Sequence, residues 1–328
     1  MAENTKIEWA HHTFNPWIGC MKVGPGCDHC YAETLATARL GVEWGAGAPR
    51  RRTAASTWKQ PLAWNRRAEM LGVRFRVFCS SLADVFDNEV DPAWRTDLFE
   101  LIRVTPHLDW LLLTKRIGNA ANMLPVPFDF ERLYPNVWLG ATIVNQAEAD
   151  RDVPKLLATP AAKRFLSMEP LLGPVRLDRI HETFDDGRGH SWESCLNGKR
   201  WSDWGGPDGN GGDTEGHPNV DWVIVGGESG SGARPMHPDW ARSLRDQCAA
   251  AGVPFLFKQW GEWFPYGEID AEGCCNTVTR GERPGLWHAW SDDSGFSVRL
   301  GKREAGRYLD GVLHDAIPPY LAPTPDQA

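Results

Sequence analysis

The chain reads as α/β, a partial (β/α) barrel of six or seven parallel strands with a small C-terminal β-containing extension. Two features point there. Short, almost continuously apolar runs recur at about thirty-residue intervals, each followed by a helical segment, as parallel strands buried on both faces require. Nearly every run ends in a hydroxyl, an amide or a charge, which gathers polarity at one mouth, where barrels of parallel strands keep their reactive groups. An open doubly wound sheet shares the first feature, and periodicity alone does not separate the two.

In chain order, residues 14–19 form a strand-like run into a Gly/Pro loop holding Cys20, Cys27 and Cys30, and residues 31–36 continue as helix. A Gly/Ala/Arg-rich passage, 41–53, leads to a polar helix at 62–71. Its Arg50-Arg51-Arg52 is either a fork for phosphates or a solvated charge run. Strands follow at 74–79, 109–114, 136–142, 163–168, 221–225 and 254–258, separated by helical segments such as 94–104, 146–158 and 239–251. Residues 181–219, rich in Gly, Asp, Trp and His, interrupt the series as a loop over the mouth or as a surface insertion. Residues 1–260 are therefore expected to form the barrel with that insertion, and 261–328 a small lid. Turn signals (Pro265, Gly267, Gly273, Gly281, Gly285) and short β-like pieces mark the lid. Its basic stretch, 301–307, is a place for an anionic ligand or a solvated surface.

With 328 residues and 42% hydrophobic content the chain can bury a sizeable core. A net charge of −8 argues against coating a polyanion by overall charge, while leaving room for a local basic groove. Eight cysteines in a chain this long do not resemble a secreted disulfide framework. The N-terminus is polar, and no apolar run approaches the roughly 20 residues that span a bilayer. A reducing cytoplasm without membrane attachment is the expectation. Most of the seventeen tryptophans are expected to pack the core or anchor loops.

The cysteines stand at C-x6-C-x2-C. A disulfide would use two thiols and strand the third, and structural zinc wants a fourth protein ligand. An iron–sulfur cubane on three cysteines leaves one iron open to a substrate or cofactor. His11 and His12 are the rivals for a fourth ligand in a Cys3His zinc site, while His29 points unfavourably inside the x2 spacer. Cys274 and Cys275, adjacent in a loop, are hard to use together on one metal. Cys79, at a strand end, is either a buried small hydrophobe or a catalytic hydrogen-atom donor at the mouth.

The strand ends supply the remaining candidates: Ser81, Lys115, Asn145, Glu169, Gly226, Gly227 and Glu228. Gly226-Gly227-Glu228-Ser229-Gly230 lets backbone approach a ligand closely. Glu169 is placed either to meet a ribose diol or to pair with a barrel lysine or arginine.

Three cysteines after the first strand of a partial barrel resemble the radical S-adenosylmethionine enzymes. The usual spacing there is C-x3-C-x2-C with an aromatic before the third cysteine; here six residues separate Cys20 from Cys27, and His29 holds the aromatic place. Ile7-Glu8-Trp9, Asn15-Pro16-Trp17, Gly26-Cys27-Asp28-His29-Cys30-Tyr31, Thr114-Lys115-Arg116, Ser167-Met168-Glu169-Pro170, Gly226-Gly227-Glu228-Ser229-Gly230 and Phe257-Lys258-Gln259-Trp260-Gly261 resemble the phage-associated three-Cys-motif family. That family is radical-SAM-like and distantly similar to spore photoproduct lyase. The resemblance implies a [4Fe–4S] cluster on Cys20, Cys27 and Cys30 whose open iron takes S-adenosylmethionine. It also implies an electron donor, and a nucleic-acid base as substrate in modification or repair, with a phage-encoded or neighbouring protein as a further partner. A small-molecule or peptide substrate and a non-catalytic zinc-bound module are the alternatives. Ser81, Lys115, Asn145, Glu169, Gly226, Gly227 and Glu228 are expected to hold the methionine and adenosine parts, on their position alone.

Overall fold

The computed structural model describes residues 2–126, 128–183, 190–202, 216–268 and 286–319. Its centre is an eight-stranded sheet whose spatial order follows the chain: β1 (Ala2–Glu3), β2 (His12–Thr13), β3 (Phe75–Cys79), β4 (Leu108–Thr114), β5 (Val137–Thr142), β6 (Lys163–Met168), β7 (Trp222–Gly226) and β8 (Phe255–Gln259). β1 pairs antiparallel with β2, and every later pair is parallel. Strands laid side by side in chain order, each reached over a helix, make a partial (β/α) barrel of seven parallel strands; a doubly wound sheet would reverse direction at a switch point.

The strand leading to the cysteines is shorter and earlier than the expected 14–19. Phe14 still bonds through its N–H to Phe78 O, but Pro16 has no N–H to offer a central ladder. Trp17–Ile18 then leaves the barrel and pairs with Arg51–Arg52 instead.

Alternation along the strands divides the core in two. Trp9, Phe78, Leu111, Trp138, Phe165, Trp222, Ile224 and Leu256 fill the concave side. Their neighbours, among them Val77, Cys79, Trp110, Leu112, Leu166 and Val225, pack outward with the surrounding helices. Gly140 is where the concave layer needs space: a Cβ there would sit 2.3 Å from the Phe165 ring. The aromatic plug occupies the lower part of the barrel, so open volume remains at the C-terminal ends of the strands.

Outside the plug lie α1 (Tyr31–Leu40), α2 (Gln60–Leu71), α3 (Pro92–Arg103), α4 (Ile117–Met123), α5 (Gln146–Ala158) and α6 (Pro238–Ala251). The interruption between β6 and β7 contains a three-stranded antiparallel sheet, Ile180–Thr183, His190–Ser194 and Lys199–Ser202. It is tied to α5 by the His181 N–H on Asp150 Oδ1 at 2.9 Å. Beyond β8, Trp263–Pro265, Trp287–Ala289 and Phe296–Arg299 form another small antiparallel sheet. The chain then returns along β8, where the Phe257 N–H donates to His314 O and the Trp222 indole to Ala316 O, covering an edge that would otherwise stay unpaired. Cys274 and Cys275 lie outside the described residues. Among the described residues no helix is long and apolar enough to cross a membrane.

Candidate functional site

A cavity of about 610 Å³ opens at the C-terminal ends of the strands. Cys20, Cys27 and Cys30 line it together with Ser81, Lys115, Glu169, Gly227 and Glu228. Residues 100 and more apart in sequence thus reach one space because each follows a different parallel strand. All the described cysteines are free thiols.

Cys20 enters a buried ionic network. Arg116 donates from Nη1 to Cys20 Sγ at 3.3 Å and from Nη2 to Met21 O at 2.8 Å. Asp84 holds that guanidinium at 3.3 Å while accepting from the Thr114 hydroxyl and the backbone N–H groups of Phe86 and Lys115. Asp87 stands 4.0 Å from Arg116 and takes the Arg50 Nε at 2.8 Å. Burial pushes the Cys20 thiol up to about 11, with Arg116 pulling the other way. Loading a metal here would therefore release a proton.

Cys27 and Cys30 sit in a second set of contacts. Arg234 donates to both carboxylate oxygens of Glu228, to Asp28 Oδ2 at 2.9 Å and to Pro25 O at 2.9 Å. His29 Nδ1 lies 3.1 Å from Glu228 Oε2. Burial opposes ionisation of Glu228, and the Arg234 and His29 hydrogen bonds outweigh it, holding the carboxyl below the usual carboxylate range. Gly227 allows this loop to lie on the next one, since a Cβ would fall 1.9 Å from Trp260 O.

Deeper in the cavity Glu169 is shared: Lys258 Nζ reaches Oε2 at 2.7 Å and Gln259 Nε2 reaches Oε1 at 2.6 Å. The pairing alternative for Glu169 is the one seen. Gly226 stands behind this carboxylate, its would-be Cβ 3.3 Å from Glu169 Cδ, and does not line the cavity. Among the described residues the Lys115 ammonium has one hydrogen-bond partner, the Thr142 hydroxyl at 3.4 Å. Among the described residues, four that line the cavity carry buried polar atoms without a partner: Trp9 Nε1, Thr13 Oγ1, Ser80 Oγ and Gln259 Oε1. Buried polar atoms are nearly always paired, so these are places for ligand or water to complete.

Besides Gly226, two expected residues fall elsewhere. Cys79 is fully buried and does not line the cavity, because strand alternation sends Phe78 and Ser80 inward and Cys79 toward the outer core. Asn145 is also absent from the lining; its side chain caps α5 by accepting from the Glu148 N–H at 2.9 Å. The three arginines are committed as well. Arg50 is buried against Asp87 and Glu89, Arg51 bonds Leu40 O, and Arg52 pairs with Asp97 at 2.6 Å while lying over Trp58. The basic stretch after Gly301 sends Lys302 to the cavity, whereas Arg307 pairs with Asp315. None of the described residues of the 181–219 insertion lines it.

Four further residues shape the site without being chemical candidates on residue type: Arg116, Arg234, Asn15 and Tyr31. Arg116 and Arg234 anchor the loop as above. Asn15 accepts from the Leu82 N–H at 2.8 Å and donates to Ser81 Oγ at 3.0 Å, and the Tyr31 hydroxyl donates to Ser81 O. Arg116 and Asn15 lie in motifs that carry the resemblance, which was the available signal; Arg234 has none.

Three free thiols on one cavity are a donor type that both zinc and iron–sulfur centres take. Among the described residues no group of three His, Cys, Asp or Glu side chains is gathered to hold a metal ion. Zinc draws its thiolates to about 2.3 Å from a single centre, whereas a cubane offers each cysteine its own iron. His11 and His12 do not line the cavity: His11 Nδ1 accepts from the Arg76 N–H and His12 stacks on Trp64.

Fold and site together define a partial (β/α) barrel protein with a three-cysteine loop at its mouth. The DUF5131 family, described as proteins of unknown function, matches residues 4–318, and the chain belongs to it. No curated protein matches the chain in sequence. Among solved structures it is similar to a spore photoproduct lyase variant with bound AdoMet and dinucleoside spore photoproduct, at 15% identity and TM-score 0.35, over 49% of this chain and 46% of that one. It therefore spans less than half of that protein's length. A second spore photoproduct lyase variant is similar at 12% identity and TM-score 0.37, over 76% of this chain and 75% of the other. At such values the fold assignment stands on the sheet topology itself.

Proposed function

We propose that this chain is a radical S-adenosylmethionine enzyme that modifies or repairs a nucleic-acid base. The observation that carries the reading is three free thiols on one strand-end cavity that also presents Lys115 and unpaired polar atoms of Thr13, Ser80 and Gln259. The motif resemblance supplies the chemistry. Cys20, Cys27 and Cys30 would hold a [4Fe–4S] cluster. Such a cluster would supply the one electron needed for reductive cleavage of S-adenosylmethionine, the chemistry that yields methionine and a hydrogen-abstracting 5′-deoxyadenosyl species.

The protein's own part is placement. Lys115 offers an ammonium to a ligand carboxylate, since among the described residues the Thr142 hydroxyl is that ammonium's one hydrogen-bond partner. Gln259 Oε1, held in place by its amide on Glu169, accepts from a ligand hydroxyl or amine. Glu228 keeps the loop seated through Arg234. Tyr31, Trp44, Lys22 and Lys302 add aromatic and cationic groups to the lining, the chemistry that meets bases and phosphates. In this scheme residues 261–328 act as a lid on the barrel of residues 1–260, and an external electron donor is the required partner.

The test is anaerobic reconstitution with iron and sulfide, then dithionite, S-adenosylmethionine and single-stranded oligonucleotides. A brown protein that forms 5′-deoxyadenosine, with a mass change on the oligonucleotide, is the expected result. A verified cluster that yields no 5′-deoxyadenosine removes radical catalysis, and a colourless zinc protein removes the cluster.

A further inference from the structure

We infer that Arg116 sets the reduction potential of the centre held by Cys20, making it easier to reduce. The inference rests on the cluster reading above. Arg116 places Nη1 3.3 Å from Cys20 Sγ, and its side chain is only 8% exposed. Its second nitrogen is fixed on Met21 O at 2.8 Å, so the fork cannot turn away without losing two bonds. Among the described residues Arg116 is the one side chain that donates a hydrogen bond to a sulfur of the three cysteines, whereas Lys22 acts on Cys30 through charge alone.

The direction follows from charge. Reduction adds one electron and makes the cluster more negative, and a guanidinium keeps its charge at any working pH. A fixed cation and an N–H donor on a ligand sulfur therefore favour the reduced form over the oxidised one. With its side chain 8% exposed, the guanidinium is largely withdrawn from solvent, which weakens screening of the interaction. Asp84 and Asp87 offset part of the charge, yet they also hold the guanidinium in place. Arg116 acts through Cys20, so it is a positioning residue.

The experiment is a redox titration of the reconstituted wild type, R116M and R116K, followed by electron paramagnetic resonance. Dithionite supplies one electron per cluster through dye mediators, and no bond is made or broken. Iron and sulfide content verifies each cluster beforehand. R116M is expected to be at least tenfold harder to reduce, a shift of about 59 mV to lower potential for one electron. R116K, which keeps the charge and loses the fork, is expected to shift the same way by less. Should R116M fail to fold or load, the R116K shift decides alone. Loaded variants titrating at the wild-type potential overturn the role of Arg116 while leaving the cluster intact. A wild type that binds no cluster overturns the parent reading, and this inference with it.

Discussion

The cysteine loop is held at its two ends in different ways. At Cys20 the anchor is buried: Arg116 and Asp84 have side chains 8% and 6% exposed. They sit beside a second ion pair, Arg50 with Asp87, buried deeper still. At Cys27 and Cys30 the anchor is a strap, with Arg234 30% exposed and its partner Asp28 53% exposed, while Glu228 is buried. Both ends use a guanidinium against carboxylates and backbone carbonyls, so the contrast lies in solvent access. Breaking a buried pair leaves an uncompensated charge, whereas a surface pair is worth little because water replaces the lost partner. The first end is thus built as part of the core and the second as a latch on it.

D84A tests the buried end most severely. Removing the carboxylate strands Arg116 and is expected to cost about 3–5 kcal/mol, seen as a lower urea midpoint. An unchanged midpoint would place that network outside the core. Acid probes the strand that leads into the loop. Burial, with Arg76 and His12 beside His11 and with Arg67 beside His12, lowers both imidazoles from 6.5 to about 4. The unfolded chain therefore takes up these protons first. Stability is complete above pH 6.5 and declines as pH falls toward 4, by about 3 kcal/mol for the buried His12. Urea titrations from pH 7 to 4.5 should show that slope, and H12N should flatten it.

R234A is expected to cost less, about 1–2 kcal/mol, because Glu228 keeps His29 and solvent is close. Its larger effect should be local, with faster proteolysis between Cys20 and Cys30 than in D84A under conditions where both stay folded. Equal cleavage in the two variants would erase the distinction between core and latch. The smallest effect belongs to C79A. It removes one buried sulfur from the outer core, at about 1 kcal/mol, and should leave 5′-deoxyadenosine formation per cluster unchanged. Loss of that activity with a full cluster would return Cys79 to the chemistry.

Much of this architecture is written locally. The recurring apolar runs, their helical partners and the polar strand ends all depend on periodicity within a few residues, and Ser81, Lys115, Glu169, Gly227 and Glu228 do share one cavity with the thiols. Two misplacements had local signals too. Alternation along β3 turns Cys79 outward, and Asn145-x-x-Glu148 is a helix start. No local pattern foretells that Arg116 meets Cys20 across 96 residues or that Arg234 meets Asp28 across 206. Propensity, capping and alternation are short-range effects, carried by neighbours along the chain. Which distant charges meet is settled by the packing of whole strands and helices, since a guanidinium has many carboxylates within reach until the barrel curls and leaves it these.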